Sequence, residues 1–391
     1  MSKVKIIIPT GWQELQVQDA FTIGRGRVIS KPEIRQNPGS YPVYSSQSTN
    51  NGQMGAIGTY DFDGEYVTWT TDGAYAGTVF HRAGKFNCTN VCGTLKDNGR
   101  HPVHPKFVAS YLSTVAKNHV SYVGNPKLMN GVFAEIQFLL PPLPEQQKIA
   151  TILSSVDDVI EKTRAQIDKL KDLKTGMMQE LLTKGIGHTE FKDSPVGLIP
   201  AKWDVKFLPD ISENHDSKRV PIKSVDRANM KGGYRYYGAS GIIDYVNDYI
   251  YDGTYILLGE DGENVLSRNL PLAFIVKGKF WVNNHAHVLK ANPDTDINFL
   301  CEYLESIDYA NIASGSAQPK ITQTSLNSIQ VPVPPLAEQK VIAAMLKSVD
   351  EKIQLTDKKL NQLRLSKKAL MQDLLTGKVR VKLTDKESAA V

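Results

Sequence analysis

The chain has 391 residues, 41 % of them apolar, with 46 Lys+Arg against 41 Asp+Glu and a net charge of +5 at pH 7. That length leaves room for two or three domains, and the composition excludes wholesale disorder. Three cysteines exclude a disulfide framework. The opening "MSKVKIIIPTGW" holds too short an apolar run for a signal-peptide core or a membrane span, which predicts a cytoplasmic protein without membrane contact.

Residues 1–141 form a first globular segment in this reading. Aromatic and β-branched runs such as "EYVTWT" alternate with turn signals, and the Asp-Gly pairs at 63–64 and 72–73 predict hairpin turns. "PKFVASYLSTVA" at 105–116 has a helical pattern. Arg25, Arg27, Lys31 and Arg35, against the single acid Glu33, precede the tyrosine-rich "YPVY" at 41–44, and "SSQSTNNG" follows at 45–52. Basic side chains neutralise phosphates, and small polar or amide side chains reach base edges. Arg25, Arg27, Lys31, Arg35, Tyr41, Tyr44, Ser46 and Gln47 are therefore candidate DNA contacts. The competing reading is a solvated basic loop. Lys85 in "GKF" is a further candidate DNA contact, and Lys127 in "NPK" a phosphate candidate; for Lys127 the alternative is a turn leading into a strand.

Residues 142–184 predict one long helix. Ile149, Leu153, Val156, Ile160, Thr163, Ile167 and Leu170 recur in steps of four and three, a heptad seam. Pro144 suits a helix start, Glu145 the positive helix end, and Gly185 the stop.

Residues 185–334 predict a second globular segment, richer in acids than in bases. "GTYILL" and "LAFIVKGKFWV" predict strands, Asp-Gly at 252–253 and 261–262 predict hairpin turns, and "INFLCEYLESID" at 297–308 a helix. Lys218, Arg219, Lys223, Arg227, Lys231 and Arg235, with one acid, Asp226, surround the start of "YRYY", and "GASG" follows. By the same chemistry these six cations, Tyr237, Ser240 and Lys279 are candidate DNA contacts, and Lys320 is a phosphate candidate or part of a turn leading into a strand. In "WVNNHAHVL", Asn283, Asn284, His285 and His287 interrupt an apolar strand; they are base or phosphate contacts, or buried groups bonded to backbone.

Residues 335–378 repeat the long helix, with its seam at Ile342, Leu346, Val349, Ile353, Thr356, Leu360 and Leu363, and residues 379–391 form a tail. A shift of 193 positions aligns 142–183 with 335–376 without a gap, and 19 of those 42 positions are identical. "IPTGW" and "IPAKW", and the two "GKF" triplets, extend the match outwards. The chain is thus a tandem duplication, domain–helix–domain–helix. The expected fold is α+β: two related mixed α/β domains and two long antiparallel coiled-coil helices about a pseudo-twofold axis. The alternative for each helix is a surface helix on its own domain.

Several chemistries have no motif here. There is no GxxxxGK[ST] phosphate loop, and "IGRGR" at 23–27 is too sparse for a dinucleotide site. The Asn-Pro-Pro-aromatic motif of amino-methyltransferases is missing, and "DFDGE" at 61–65 lacks the other ligands of a calcium loop. Cys88, Cys92, His101 and His104 do not have finger spacing, so no metal site is expected.

The duplicated order, "PPLPEQQKIA…VDD" with "PPLAEQKVIA…VD", "MQELLT" with "MQDLLTGKVRV", "VGLIPAKW" and "GKFWVNNHAHVL" resemble the specificity subunit of type I restriction–modification systems. The resemblance covers almost the whole chain, least closely in the first domain, where "GKFNCTNVC" stands for "GKFWVNNHA". It implies target-recognition domains at 1–141 and 185–334, spacer helices at 142–184 and 335–378, and a non-catalytic subunit. Each domain would read half of a split asymmetric duplex DNA site. Partners would be two modification subunits, which carry S-adenosylmethionine and methylate adenine N6, and restriction subunits that use ATP and Mg. This chain would bind no cofactor itself. Two other readings remain at this point: a coiled-coil scaffold without DNA binding, and the recognition chain of another defence system.

Overall fold

The computed structural model describes residues 8–47, 49–315 and 318–384. Residues 1–7 of the opening stretch, Ser48, Ser316, Ala317 and residues 385–391 of the tail lie outside the described residues. The chain divides into two units, Met1–Arg164 with Lys359–Val391, and Ala165–Lys358. Each unit holds one globular domain and half of each long helix.

The first domain contains β1 (Gln13–Gln16), β2 (Phe21–Arg25), β3 (Pro38–Tyr44), β4 (Gln53–Ile57), β5 (Phe62–Asp63), β6 (Tyr66–Thr70), β7 (Val79–Arg82), β8 (Lys85–Cys88), β9 (Cys92–Asp97), helix α1 (Pro105–Val115) and β10 (Gln137–Leu140). Two four-stranded sheets run β2-β9-β6-β7 and β4-β3-β8-β5. All five residues of β6 are buried, because α1 lays Phe107, Val108 and Leu112 into the same core as Val67 and Trp69. β3 and β8 pair in parallel, Val43 opposite Asn87 and Tyr44 opposite Cys88.

A 42-residue helix, α2 (Leu143–Lys184), follows. The second domain then contains β11 (Phe191–Ser194), β12 (Gly197–Pro200), β13 (Asp204–Phe207), β14 (Ser212–Asn214), β15 (Lys231–Gly238), β16 (Gly241–Val246), β17 (Tyr251–Gly259), β18 (Ala273–Val282), β19 (Ala286–Ala291), helix α3 (Ile297–Ser306) and β20 (Gln330–Val333). One six-stranded sheet runs β14-β19-β17-β18-β15-β16. This is the topology of the first domain with its two sheets joined. β17 takes the places of β5 and β6, and β18 those of β7 and β8. The parallel pair recurs as β15–β18, with Tyr237 opposite Val282.

The Asp-Gly pairs do not all behave as the turn signal predicts. Asp252-Gly253 lies inside β17, with Gly253 opposite Gly278 in an unbroken ladder. Both glycines have positive φ, 140° and 80°, so the ladder twists there instead of turning back. Asp63-Gly64 marks the break between β5 and β6, where Gly64 and Gly84 exchange backbone hydrogen bonds. Asp72-Gly73 and Asp261-Gly262 do lie in loops between antiparallel neighbours.

The second long helix is α4 (Leu336–Leu375), 40 residues. At 1.5 Å per residue each rod is roughly 60 Å long. In the first unit, Ile149 and Leu153 near the start of α2 share a core with Leu374 and Leu375 at the end of α4. In the second unit, Leu182 near the end of α2 meets Ile342, Ala343 and Leu346 near the start of α4. Within each unit the helices are therefore antiparallel. The seam is where the heptads place it: Ile149, Leu153, Ile160, Ile167, Ile342, Leu346, Val349 and Leu360 are buried, and Val156, Leu170, Ile353 and Leu363 are half-buried. Each fully buried Leu or Ile contributes about 1.5–3 kcal/mol by leaving water.

The repeated Glu-Gln pairs at the helix starts join rod to domain. Glu145 is 3 % exposed and accepts from Trp12 Nε1 at 3.1 Å and from Arg380 at 2.7 Å on each oxygen. Glu338 does the same for Trp203 Nε1 at 3.1 Å, and its other oxygen faces His188 Nε2 at 2.7 Å. Gln146 accepts from His104 N–H and donates to Pro102 and Pro141 carbonyls, while Gln339 accepts from Asp296 N–H and donates to Pro334. His104 and Asp296 are the N-caps of α1 and α3, so each Gln ties a rod to its domain's helix. Gly185 and Gly377, at φ 66° and 70°, let the chain leave each rod beside this clasp; a Cβ at Gly185 would meet Glu338 and Trp203 at 2.5 Å.

Candidate nucleic-acid interface

The basic segment of the first domain bridges β2 and β3. Ser30 caps a short helix, Lys31–Gln36, by accepting from Glu33 N–H at 3.2 Å. Ile29 and Ile34 pack on Val43 and Ile57, so the segment is pinned by its apolar residues. Lys31 and Arg35 stand exposed. Arg25 and Arg27 are also exposed but are held by acids: Arg25 by Asp72 at 3.3 Å and Thr71 at 2.9 Å, Arg27 by Glu33 at 2.7 Å and Asp61 at 3.0 Å.

In the second domain the matching segment crosses the sheet at β15 and β18. Trp281 Nε1 donates to Val220 O at 2.7 Å, and Ile222 N–H donates to the Tyr236 hydroxyl at 3.0 Å. Lys218 and Lys223 stand exposed. Among the described residues Lys31, Arg35, Lys218 and Lys223 have no carboxylate within ion-pair distance. Lys231 at 2.8 Å and Arg227 at 3.1 Å share Asp244, and the Lys231 hydrogen bond, with those from Tyr245 N–H and Arg227, pulls that carboxyl down to about 2. Arg235 donates to Lys277 O.

Other sequence candidates have internal roles. Arg219 is largely buried between Asp216 and Glu260 and also donates to Ala286 O at 2.9 Å. It braces the fold instead of facing solvent. Its acids are the first residue of the short helix at 216–218 and the residue just after β17, which charge counting along the chain does not reveal. His287 is 1 % exposed, 2.6 Å from Asp216 and 2.8 Å from Ile321 O, so the backbone-bonded reading of this histidine holds. Burial works against ionisation of Asp216, but His287, Val288 N–H and Arg219 overcome it and hold its carboxyl below the usual range. Asn283 and Tyr237 are buried. His285 Nδ1 sits 2.9 Å from Asp261, and Asn284 is exposed. Lys320 reaches Glu260 at 3.0 Å, and Lys127 reaches Asp72 at 4.0 Å. Cys88 and Cys92 are buried with Tyr66 and Phe86, and no group of three or more metal-ligating side chains occurs among the described residues.

The loop after β3 differs in length between the domains. β15 and β16 are joined by the tight turn Ala239-Ser240, with Ser240 half-buried. At the same place β3 and β4 are joined by residues 45–52, where Asn50 and Asn51 hold left-handed φ of 48° and 51°. Non-glycine residues there are strained, and such strain concentrates at functional sites. Ser45 N–H donates to Gly52 O, and Gln47 donates to Gln53 O. Ser46 is half-buried. Arg82, which sequence reasoning did not single out, props the loop from below. It is 3 % exposed, lies 3.5 Å over the Tyr44 ring, and donates to Asn51 O at 2.8 Å and Thr68 Oγ1 at 3.3 Å. Burial lowers its pKa. Beside Asn51 runs a groove of about 670 Å³ whose floor carries Arg164, Arg364 and Lys367 with Asp157 and Glu161.

A second arrangement recurs in the two domains. Tyr41 meets Tyr60 at 5.1 Å and Lys85 Nζ lies 4.4 Å over Tyr60. Tyr234 meets Tyr249 at 5.1 Å and Lys279 Nζ lies 4.5 Å over Tyr249.

The sequence profile of the "Type I restriction modification DNA specificity domain" matches residues 9–172 and 200–365. A Mycoplasma pneumoniae protein designated type I specificity subunit S.MpnORF507P is 32 % identical over 340 residues, covering 85 % of this chain and 87 % of its own. The specificity subunit of type I restriction enzyme MjaVIII from Methanocaldococcus jannaschii is 27 % identical over 96 % of this chain and 94 % of its own. Among solved structures, the type I restriction–modification S subunit of M. genitalium superposes with a TM-score of 0.65 at 17 % identity, over 98 % of this chain and 99 % of that one. The chain therefore belongs to the type I restriction–modification specificity family, whose members are non-catalytic specificity subunits. No helix among the described residues is long and apolar enough to cross a membrane.

Proposed function

We propose that this chain is the DNA-reading subunit of a type I complex in the cytoplasm, each domain reading one half of a bipartite asymmetric duplex site. One observation carries this reading. The two domains share topology and a pinned basic segment on the same sheet face, yet differ in the loop joining the strands beside it. A common cationic platform suits phosphates, which are alike in both half-sites, and differing loops suit bases, which are not. Asn50 and Asn51 are amides suited to adenine edges in the major groove. The long helices then space the readers and dock two modification subunits. Those partners supply S-adenosylmethionine and the adenine-N6 methyl transfer, and restriction subunits supply the ATP- and Mg-dependent steps.

The test is a gel shift of the chain with its modification subunits on host genomic fragments, followed by scanning substitution of the retained site. Retention should fall when either of two separated blocks is changed and be indifferent to the bases between. Asn50→Ala with Asn51→Ala should relax one or two base pairs of one block, at about 1–3 kcal/mol each, and leave the other block untouched. Retention that does not depend on the presence of this chain would favour the scaffold reading.

A further inference from the structure

We propose that Tyr41, Tyr60 and Lys85 in the first domain, and Tyr234, Tyr249 and Lys279 in the second, are two copies of one sequence-independent grip on a DNA phosphodiester. This deepens the DNA-reading proposal and rests on it.

The two trios occupy matching places. Lys85 and Lys279 each follow the positive-φ glycine of a "GKF" triplet, opposite Asp63 and Asp252 in the ladder. Tyr60 and Tyr249 each lie three residues before those aspartates, and Tyr41 and Tyr234 each lie three before the tyrosine of the parallel pair. The distances agree to 0.1 Å between domains. Local sequence does not force this likeness, because β8 continues as "NCTNVC" and β18 as "WVNNHA".

Surroundings and chemistry point to phosphate. Side chains two apart on a strand share a face. Val43, two beyond Tyr41, lies under Ile29 and Ile34 of the basic segment. Tyr236, two beyond Tyr234, is bonded to Ile222, and Trp281, two beyond Lys279, is bonded to Val220. Each trio therefore flanks its domain's basic segment on one sheet face. Both lysines are exposed, and contact with the phenol of Tyr60 or Tyr249 raises their pKa, so each ammonium is fully charged at neutral pH. The ring holds the flexible lysine in place and sets a phenol donor beside the ammonium, two donors suited to one anionic oxygen pair. Two domains that read different bases have no reason to share a base contact, whereas the backbone is the same at both half-sites.

The experiment uses the full chain assembled with its modification subunits, Lys85→Gln, Lys279→Gln and the double variant, and two probes: a duplex carrying the site and a scrambled duplex. Each single variant should weaken both probes by the same factor, about 3- to 10-fold, and lower the slope of log K against log salt by about one. The double variant should lower it by about two, with the methylated motif and thermal midpoint unchanged. A changed base preference with the slope kept would make the lysines base readers and overturn the proposal. So would loss of modification-subunit binding with the slope kept, which would make the trios a protein-docking surface, or a fall in thermal midpoint alone, which would make them structural braces. Salt-independent binding by the unaltered assembly would overturn the DNA-reading proposal itself; a steep unaltered slope that the variants share would overturn only the grip.

Discussion

Exchange of residues 197–334 for the same region of a relative is expected to replace one half of the methylated motif completely and leave the other half intact. The reason is the closure of each domain on itself. β12 to β20, α3 and the buried cluster of Asp216, Arg219, Glu260 and His287 all lie within that segment, so the basic segment, the sheet and the turn at 239–240 travel together. What stays behind is Glu338 and Gln339, which receive Trp203 Nε1 and Asp296 N–H. The donor must therefore bring a tryptophan and an N-cap residue to those places. Methylome sequencing of a host expressing the hybrid reads the outcome. A hybrid in which both half-sites change would mean that the domains do not read independently.

The second large effect is on stability. Glu145→Ala should lower the unfolding free energy of the first unit by about 3 kcal/mol, roughly 6–12 °C in midpoint for a unit of this size. The substitution strands the Trp12 indole N–H and removes two charge-assisted bonds to Arg380. The value sits at the low end for a buried pair because Arg380 is 44 % exposed and regains water when released. Arg380→Ala leaves the buried carboxylate with only the indole, and about 2 kcal/mol is expected after allowing for that same exposure. The double variant decides the matter. If the two residues act through each other, its cost falls at least 1 kcal/mol short of the sum; costs adding to within about 0.5 kcal/mol would show that no clasp exists. Thermal or denaturant unfolding of the three proteins measures this.

The rods were legible because a seam in steps of four and three permits few arrangements, and the structure buries those residues. The duplication made the domain order legible for the same reason. The sheet was legible only as strand content. Asp252-Gly253 reads as a turn from sequence, but opposite Gly278 its left-handed residue is accommodated by a twist within the ladder. The candidate interface is legible as charge, not as geometry. A basic run does not disclose that Arg219 has Asp216 and Glu260 beside it while Lys218 and Lys223 have no carboxylate within ion-pair distance. Arg82 carried no signal, because a single arginine at a strand end becomes a prop only when Tyr44 and Asn51 are folded onto it. Tyr60 and Tyr249 were likewise invisible, since each meets its partner across strands, 19 and 15 positions away in sequence. The one sequence trace of the trios was the repeated "GKF".

The most direct test of the central claim is the adenine methylome of a host carrying this chain with its modification subunits, compared with the same host carrying the subunits alone. Two specific blocks separated by a fixed run of unspecified bases, different in sequence and methylated only when this chain is present, are the predicted result. Methylation that is unchanged by the chain, or that falls in a single continuous block, would contradict it.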